Sequence, residues 1–215
     1  MDDLFPRVVF HLFGIPIRDT VITTLIVTGL ILVTASVYRR WRPMAIEMLL
    51  EFLSDQIASA LGRKARPYLP LLGTLAIFIT VSNLIGEVPF LSAPTRDLNT
   101  TVALAVVVFF SVHYYGARSH GLRGYLKELA SPVFMLPLEI LTQLTRTLSL
   151  ALRLFGNILS TQLIVAVLFS LLPFFVPLPL QVFGIFTGVL QAYIFTVLAA
   201  VYIGAALQAT GIGDG

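Results

Sequence analysis

Seven polar side chains repeat at helical spacing in the last third of the sequence. Steps of three or four residues separate Glu139, Thr142, Arg146, Ser149, Arg153, Asn157 and Ser160. Since residues three and four apart share one face of a helix, they predict a single polar stripe on an otherwise apolar helix. Such a stripe does not face lipid, so we expect it to face a cavity or another protein that carries a counter-charge.

Arg153 is the member of this stripe that restricts the chemistry most. A guanidinium at the middle of a membrane costs roughly 2.5–3.5 kcal/mol on insertion scales, and it cannot lose its proton to escape that cost. Arg146 can reach an interface by snorkelling, but Arg153 is followed by 60 residues (154–213) without Asp, Glu, Lys or Arg. We therefore expect an anionic group to approach Arg153.

The composition places these residues in a membrane protein. Hydrophobic residues make up 57% of the 215 residues, charged residues only 12%, and the mean hydropathy is +0.92. Because an average soluble domain carries about a quarter charged residues, a soluble fold could not cover its surface with so few. The chain has no cysteine, which excludes disulfides and thiolate metal sites. We predict no metal site, no cofactor and no nucleic acid partner.

Apolar stretches bounded by charged residues predict an all-α polytopic membrane protein with a single domain. The expected elements are a transmembrane helix at 21–38, an interfacial amphipathic helix at 43–61, transmembrane helices at 67–87 and 98–117, and a long tilted helical hairpin with arms at 132–172 and 180–208. The interfacial helix carries Glu47, Glu51 and Asp55 four residues apart, a pattern typical of a helix that lies along the membrane surface.

Basic residues give the predicted orientation of these spans. Nine of the 14 basic residues fall in three segments that lie on one side of the membrane, and three fall on the other side. Because cytoplasmic loops carry an excess of Lys and Arg, we expect the N-terminus outside and the C-terminus in the cytoplasm. The nine residues are Arg39, Arg40, Arg42, Arg63, Lys64, Arg66, Arg118, Arg123 and Lys127.

Four motifs from residue 82 onward resemble the a subunit of F-type ATP synthases. In chain order they are Ser82-Asn83-Leu84-Ile85-Gly86 followed by Pro89, Pro94-Thr95-Arg96-Asp97-Leu98-Asn99, the ten residues LSLALRLFGN that end at Asn157, and Leu190-Gln191-Ala192-Tyr193-Ile194-Phe195 with Tyr202 downstream. Their order is that of the family. The short N-terminus resembles the divergent, sodium-type second copies of this ATPase in bacteria.

This resemblance implies the ion-translocating stator subunit of the membrane sector, with one copy per complex in the bacterial inner membrane. The implied partners are a ring of c subunits, the b subunits of the peripheral stalk and the lipid bilayer. Two half-channels would meet the ring near Arg153, which would drive ion release from a ring carboxylate and block leakage. Gln191 would lie beside Arg153. Because the chain lacks a phosphate-binding Gly-x-x-x-x-Gly-Lys-Ser/Thr sequence, ATP chemistry would reside on partner subunits.

Further residues are predicted along the ion pathway and on the face toward the ring. The pathway residues are Asn83, Glu87, Asp97, Glu139, Arg146, Asn157, Gln162 and Gln191. Gly184, Gly188 and Ala192 recur every four residues, which predicts a stripe of small residues that lets another helix come close. With Gly156, both glycines are predicted to face the ring.

Two positions depart from the pattern of the family. Many proton-driven members carry a titratable residue nine positions after the arginine or seven before the glutamine, and here those positions are Gln162 and Gly184. The remaining candidates for a proton relay are Glu139, Glu87, Asp97 and His113. The transported ion is therefore either H⁺ or Na⁺, and Na⁺ would need oxygen ligands rather than titratable groups.

Two other functions stay open on the sequence alone. One is a secondary transporter with a polar site in the middle of the membrane, although the chain shows no inverted repeat. The other is a structural membrane adaptor, in which Arg153 would only fix assembly.

Overall fold

The computed structural model describes residues 8–12, 15–41, 44–62, 64–88, 91–129, 136–171 and 177–208. Within these ranges the chain forms six α-helices and one small β-hairpin. The helices are α1 (Asp19–Trp41), α2 (Met44–Leu61), α3 (Leu69–Ile85), α4 (Leu98–Leu129), α5 (Leu136–Leu171) and α6 (Pro177–Gln208). This architecture confirms the predicted all-α polytopic class. The predicted loop residues Arg42, Arg63, Pro89 and Pro173 lie outside the described ranges.

The β-hairpin was not predicted. Strands β1 (Val8–Leu12) and β2 (Ile15–Arg18) pair antiparallel, with Val8 opposite Arg18 and Leu12 opposite Ile15. A two-stranded hairpin is marginal by itself in water, so a sequence this short gives little signal for it. Its consequence for the site is that Arg18 lies directly before α1.

Four of the described helices are long and apolar enough to cross a membrane. They contain the candidate spans Asp19–Tyr38, Leu98–Ser119, Pro137–Ser170 and Pro179–Gln208. Helix α3 is apolar but has 17 residues, which at 1.5 Å per residue gives about 26 Å, slightly less than a typical hydrocarbon core. Its crossing of the membrane therefore stays a prediction.

Helix α4 extends beyond the predicted transmembrane segment. It runs to Leu129, although the apolar span ends near Ser119 and the prediction ended at 117. At Gly121 the backbone has a φ of 74° and a ψ of 150°, so the element is two helices joined at a kink. Glycine adopts this positive φ without a steric penalty, which explains why the break falls there.

The two arms of the predicted hairpin are present as α5 and α6. Helix α5 has 36 residues, a length of about 54 Å, so it must tilt or protrude from a hydrocarbon core of about 30 Å. Helix α6 begins at Pro177, three residues before the predicted start at 180. The early start agrees with the tolerance of proline in the first turn of a helix.

Helix α6 lies at the centre of the bundle. It contacts α2, α3, α4 and α5, and its side chains Phe195, Ala199 and Ile203 are fully buried. Gly204 allows α2 to approach, because a Cβ at this position would lie 3.3 Å from the backbone of Leu61. Helix α5 is far more exposed: 11% of its apolar window is buried, against 39% for α6. One side of the bundle is therefore an uncovered α5 face.

Helix α2 has the amphipathic division that its sequence predicted. Leu53 and Ile57 are buried, and the carboxylates of Glu47, Glu51 and Asp55 are exposed. Met48 and Phe52 are exposed as well, so the outer face of α2 mixes apolar and acidic side chains. That mixture suits a membrane surface, and the interfacial position of α2 stays a prediction.

Candidate functional site

Arg153 lies at the middle of α5, 17 residues after Leu136 and 18 before Leu171. Its side chain is exposed, and neither of the ion pairs between described residues includes it. The neighbouring side chains Leu148 and Leu152 are also exposed. The described part of the chain thus presents a guanidinium on an apolar surface, where an isolated charge is costly.

The predicted polar stripe of α5 divides between two surfaces. Ser149, Arg153 and Ser160 are exposed, whereas Asn157 turns toward α6. Its Nδ2 donates a hydrogen bond to the backbone carbonyl of Thr187, with a donor–acceptor distance of 3.5 Å. The stripe is therefore continuous in sequence, but part of it is used in packing the two arms together.

The contact between Asn157 and Thr187 sets the register of the arms. Helices α5 and α6 run in opposite directions. The residue four positions before Asn157 and the residue four positions after Thr187 therefore lie at the same level of the bundle, about 6 Å along the axis from this contact. Those residues are Arg153 and Gln191. The two residues that were predicted to be neighbours thus share a level, with Arg153 on the exposed face and Gln191 in the interior.

Gln191 is buried and incompletely hydrogen-bonded. Its residue is 6% exposed, and its Nε2 has no hydrogen-bond partner among the described residues. The hydroxyl of Ser82, also buried, is in the same situation. Buried polar atoms without partners are rare and cost roughly 1–3 kcal/mol each. Ser82 lies on α3 and Gln191 on α6, two helices that pack against each other.

Asn83 joins three elements of the bundle. Its Nδ2 donates to the backbone carbonyl of Gly188 at 2.8 Å, and its Oδ1 accepts from the hydroxyl of Thr95 at 2.6 Å. Thr95 belongs to the 3-10 turn Pro94–Arg96 that precedes α4. Asn83 was predicted on the ion pathway, and its described hydrogen bonds hold α3, α6 and this turn together.

Gly184 and Gly188, which were predicted to face a ring, pack against α3 and the turn that follows it. Both are buried within the same chain. A Cβ on Gly188 would lie 3.1 Å from the Cβ of Asn83, and a Cβ on Gly184 would lie 2.8 Å from Oε1 of Glu87. A stripe of small residues predicts a close approach but does not specify the partner. Gly156 differs, since open space surrounds its Cβ position.

Asp97 is a buried anchor at one end of the bundle. Its carboxylate accepts hydrogen bonds from Arg18 at 3.1 and 3.2 Å, from the hydroxyl of Thr20 at 3.0 Å and from the backbone N–H of Asn99 at 3.0 Å. The last of these caps the first turn of α4. We refer to this end, where α1 begins, α3 ends and α4 begins, as the Asp97 end.

Arg96 and Gln162 meet at the same end. Arg96 donates to Oε1 of Gln162 at 3.4 Å and to the hydroxyl of Ser92 at 3.3 Å, and it lies 3.9 Å from the carboxylate of Asp19. Burial lowers the pKa of Arg96, and the nearby Asp19 charge opposes that change. Arg18 and Asp19 were not predicted to belong to this cluster, because nothing local in the sequence links them to α4.

Glu139 and Arg146 lie nearer the opposite end of α5. The Glu139 carboxylate accepts from Nε2 of Gln143 at 3.1 Å, and the Arg146 guanidinium lies 5.6 Å from the centre of the Tyr202 ring. This cation–π contact gives Arg146 a partner within the chain, which Arg153 lacks among the described residues. His113 lies apart on α4, where its Nδ1 is 2.8 Å from the carbonyl of Phe109.

The predicted site residues therefore occupy three levels. Gln162, Glu87, Asp97, Asn83, Gly184 and Gly188 lie toward the Asp97 end. Arg153, Asn157 and Gln191 lie in the middle, and Arg146 and Glu139 lie toward the opposite end. No group of three or more potential metal ligands occurs within the described ranges. Fold and site together define a polytopic helical membrane protein with an internal polar layer and an arginine exposed at mid-helix.

Comparison with known proteins identifies the family. Residues 19–204 match the family model described as ATP synthase A chain. The chain is 47% identical over 218 aligned residues to "ATP synthase subunit a 2" of Bradyrhizobium sp. (strain BTAi1), covering 98% of both chains. It is 42% identical to "ATP synthase subunit a 1" of Hahella chejuensis, covering 97% of this chain and 92% of that one. It is 38% identical to "ATP synthase subunit a" of Moorella thermoacetica, covering 94% of this chain and 97% of that one.

The chain therefore belongs to the ATP synthase A chain family, whose members are the ion-translocating stator subunits of the F-type membrane sector. This result confirms the resemblance that the four sequence motifs indicated. It does not favour the secondary transporter or the structural adaptor. The class also agrees with the four helices that are long and apolar enough to cross a membrane.

Proposed function

We propose that this chain conducts H⁺ or Na⁺ to and from a ring of c subunits, and that Arg153 is the group that meets each ring carboxylate. The observation that supports this role is the exposed guanidinium at the middle of α5, which has no ion-pair partner among the described residues. A carboxylate that rotates past it would supply a counter-charge. One copy of the chain would act per complex, with the b subunits holding it against rotation.

Arg153 would act on the ring through its charge alone. A nearby positive charge favours the ionised form of a carboxylate, so it lowers the pKa of the ring group and promotes ion release. The same charge repels a cation that would otherwise leak directly between the two half-channels. Arginine suits this task because its guanidinium stays protonated in a dry site, where a lysine would lose its proton.

The magnitude of the driving force explains why a leak must be blocked. One elementary charge that crosses 100 mV releases about 2.3 kcal/mol, so about 150 mV supplies roughly 3.5 kcal/mol per ion. Any ion that bypasses the ring releases this energy as heat. An immobile positive charge at the meeting point of the half-channels is the simplest electrostatic barrier to such a bypass.

The exposed face of α5 is suited to a moving partner. Its uncovered side chains are mainly apolar and make no directional contacts that would have to break at each step. Those exposed residues include Leu144, Leu148, Leu152, Leu163, Ile164 and Val167. Gly156 adds open space one turn from Arg153. We propose that this face, rather than the buried Gly184 and Gly188, contacts the ring.

The orientation of the chain follows from its basic residues. Arg40, Lys64, Arg66 and Arg118 are exposed at the end of the bundle away from Asp97. By the positive-inside rule that end is cytoplasmic, so the Asp97 end and the N-terminus would lie outside a bacterial inner membrane. The outer half-channel would then enter near Gln162 and Glu87, and the inner one near Glu139.

The choice between H⁺ and Na⁺ depends on the ring. In this chain, Gln162 is hydrogen-bonded to Arg96, and Gly184 has no side chain. Neither residue has a titratable side chain, which agrees with transport of Na⁺ or with a proton relay placed elsewhere. Protection of the ring carboxylate from carbodiimide by Na⁺ would identify Na⁺ as the coupling ion, and labelling that is insensitive to Na⁺ would identify H⁺.

The decisive experiment compares three variants in the assembled complex. Arg153→Ala should assemble normally and hydrolyse ATP, but it should lose ATP synthesis driven by an ion gradient. Arg153→Lys should lose most of that activity, because a lysine can be deprotonated in the dry site. Arg40→Ala, which removes an exposed arginine at the end of α1, is the matched control and should couple normally.

Two results would contradict the proposal. Ion-driven ATP synthesis at the control rate in Arg153→Ala would show that the guanidinium is dispensable. Failure of both Arg153 variants to assemble, with Arg40→Ala intact, would favour the adaptor, in which Arg153 serves assembly alone.

A further inference from the structure

A carboxylate from the turn that follows α3 occupies the space between the two arms of the hairpin. Glu87 lies two residues beyond the end of α3, and its Oε1 is 2.8 Å from the position that a Cβ on Gly184 would take. The same Cβ would lie 3.2 Å from Cγ2 of Thr161 on α5. The Glu87 side chain therefore packs against α6 where α6 has no side chain of its own, close to α5.

Glu87 differs from the other described carboxylates in its surroundings. Asp97 is paired with Arg18, Asp19 lies beside Arg96, and Glu139 accepts from Gln143. The remaining acidic residues with described side chains, Glu47, Glu51 and Asp55, are exposed on α2. Glu87 is half-buried, and among the described residues its carboxylate has neither a hydrogen bond nor an ion pair. Loss of hydration raises the pKa of Glu87.

Polar atoms without partners continue inward from Glu87 on the same helices. Ser82 lies five residues deeper on α3, and Gln191 lies seven residues beyond Gly184 on α6, a rise of about 10 Å. The hydroxyl of Ser82 and Nε2 of Gln191 are buried and have no hydrogen-bond partner in the part of the chain that the structure describes. Gln191 shares its level with Arg153, so these atoms lead from Glu87 to the depth at which the ring would be met.

We infer that Glu87 is the cation-relay carboxylate of the half-channel at the Asp97 end, a role that rests on the proposed function. The Glu87 carboxylate takes up the transported cation from water at this end and releases it toward the ring, which restores the free carboxylate. If the cation is H⁺, a hydronium ion gives its proton to Oε of Glu87 and becomes water. Glu87 then passes the proton toward a ring carboxylate, which becomes neutral while Glu87 is ionised again.

The inference also assigns a role to Gly184. With Ala at this position, the new Cβ would lie 2.8 Å from Oε1 and 3.3 Å from Cδ of Glu87, so the carboxylate would have to move. The absence of a side chain at 184 and the presence of a carboxylate at 87 are therefore parts of one arrangement. The Glu87 carboxylate reaches the space between the arms from the turn after α3, and not from α5 or α6.

The test measures passive ion conduction through the membrane sector after the catalytic sector is removed, in Na⁺-free and in Na⁺-containing buffer. Glu87→Gln keeps the shape and removes the charge, and it should lower conduction of the coupling ion at least about tenfold. Glu87→Asp should retain a measurable part. Glu51→Gln makes the same chemical change on the exposed face of α2 and should conduct normally.

A transplanted carboxylate separates a relay from a structural role. Glu87→Ala alone should lose conduction, and the double variant Glu87→Ala with Gly184→Asp should regain part of it, because the new carboxylate projects into the vacated space. This rescue would support the inference even if Glu87→Gln assembled poorly. Conduction at the control rate in Glu87→Gln, or no rescue in the double variant, would overturn it.

Failure of the Glu87 assignment can be told apart from failure of the proposed function. If Arg153→Ala abolishes coupling and Glu87→Gln conducts normally, the stator function stands and the relay assignment falls. If Arg153→Ala still couples, the proposed role of Arg153 falls, whatever Glu87 does.

Discussion

Asn83 on α3 donates a 2.8 Å hydrogen bond to the backbone carbonyl of Gly188 on α6. The contact is possible because Gly188 has no side chain: a Cβ there would lie 3.1 Å from the Cβ of Asn83. The two helices are thus in backbone-to-side-chain contact four residues inward from the contact between Glu87 and Gly184. A close-packed seam between α3 and α6 therefore supports the polar region that leads to Gln191.

Replacement of Asn83 tests how much this seam contributes. Asn83→Ala removes both hydrogen bonds and leaves the hydroxyl of Thr95 and the carbonyl of Gly188 without Asn83, so we expect a loss of roughly 1–3 kcal/mol in the free energy of unfolding. Thermal unfolding of the solubilised complex is the measurement. Thr80→Val on α3 is the control, since the described hydrogen bond of the Thr80 hydroxyl lies within its own helix, to the carbonyl of Ala76. Equal melting temperatures for both variants would contradict the assignment.

Gly188 tests the same seam from α6. Gly188→Ala should lower the melting temperature, because its Cβ would press on Asn83, even though alanine in a helix interior is favoured over glycine by about 1 kcal/mol. Gly29→Ala on α1 is the matched control, since no atom of the described residues lies within 4 Å of its Cβ position. We expect this control to be neutral or slightly stabilised. A higher melting temperature for Gly188→Ala would show that the contact between α3 and α6 can accommodate a methyl group.

Asp97 and Arg18 form the contact that attaches the N-terminal hairpin to α4. Asp97→Asn keeps the acceptor oxygen but removes the charge, so the N-terminal segment should detach more often and be cut faster by protease. A double-mutant cycle with Arg18→Gln should show coupling between the two positions. Arg40→Gln with Asp97→Asn is the control pair, and its effects should add. Additive effects in the Arg18 pair as well would refute the contact.

Glu87 should make the stability of the complex depend on pH in a particular direction. Burial raises the pKa of Glu87 above its ordinary value, so the folded chain binds this proton more tightly than the unfolded chain does. Stability from this group is therefore highest below the ordinary carboxyl pKa and falls as pH rises through the raised pKa. In Glu87→Gln this part of the pH dependence should vanish. If the melting temperature of the unmodified complex instead rose with pH relative to that of Glu87→Gln, the raised pKa of Glu87 would be contradicted.

The helices could be predicted from the sequence, because they follow from the period of the apolar residues and the positions of the charges. The apolar runs predicted the spans, and the spacing from Glu139 to Ser160 predicted one helix with Arg153 near its middle. Contacts between elements that are distant in the sequence could not be predicted, because the sequence does not show which element packs against which. The glycine stripe on α6 predicted a close neighbour, but only the fold shows that this neighbour is α3. Likewise, nothing near Arg18 in the sequence indicates that its partner is Asp97, 79 residues away.

Gln191 offers a test that separates function from stability. Its Nε2 is buried without a hydrogen bond among the described residues, so Gln191→Leu replaces an unsatisfied polar group with an apolar one of similar size. We therefore expect an equal or higher melting temperature together with at least about tenfold slower passive conduction, the combination typical of a residue kept for function. Gln181→Leu, at a partly buried position on the same helix, is the control and should conduct normally. A destabilised Gln191→Leu complex with normal conduction would mean that this amide serves packing, and that the polar route from Glu87 toward Arg153 does not pass through it.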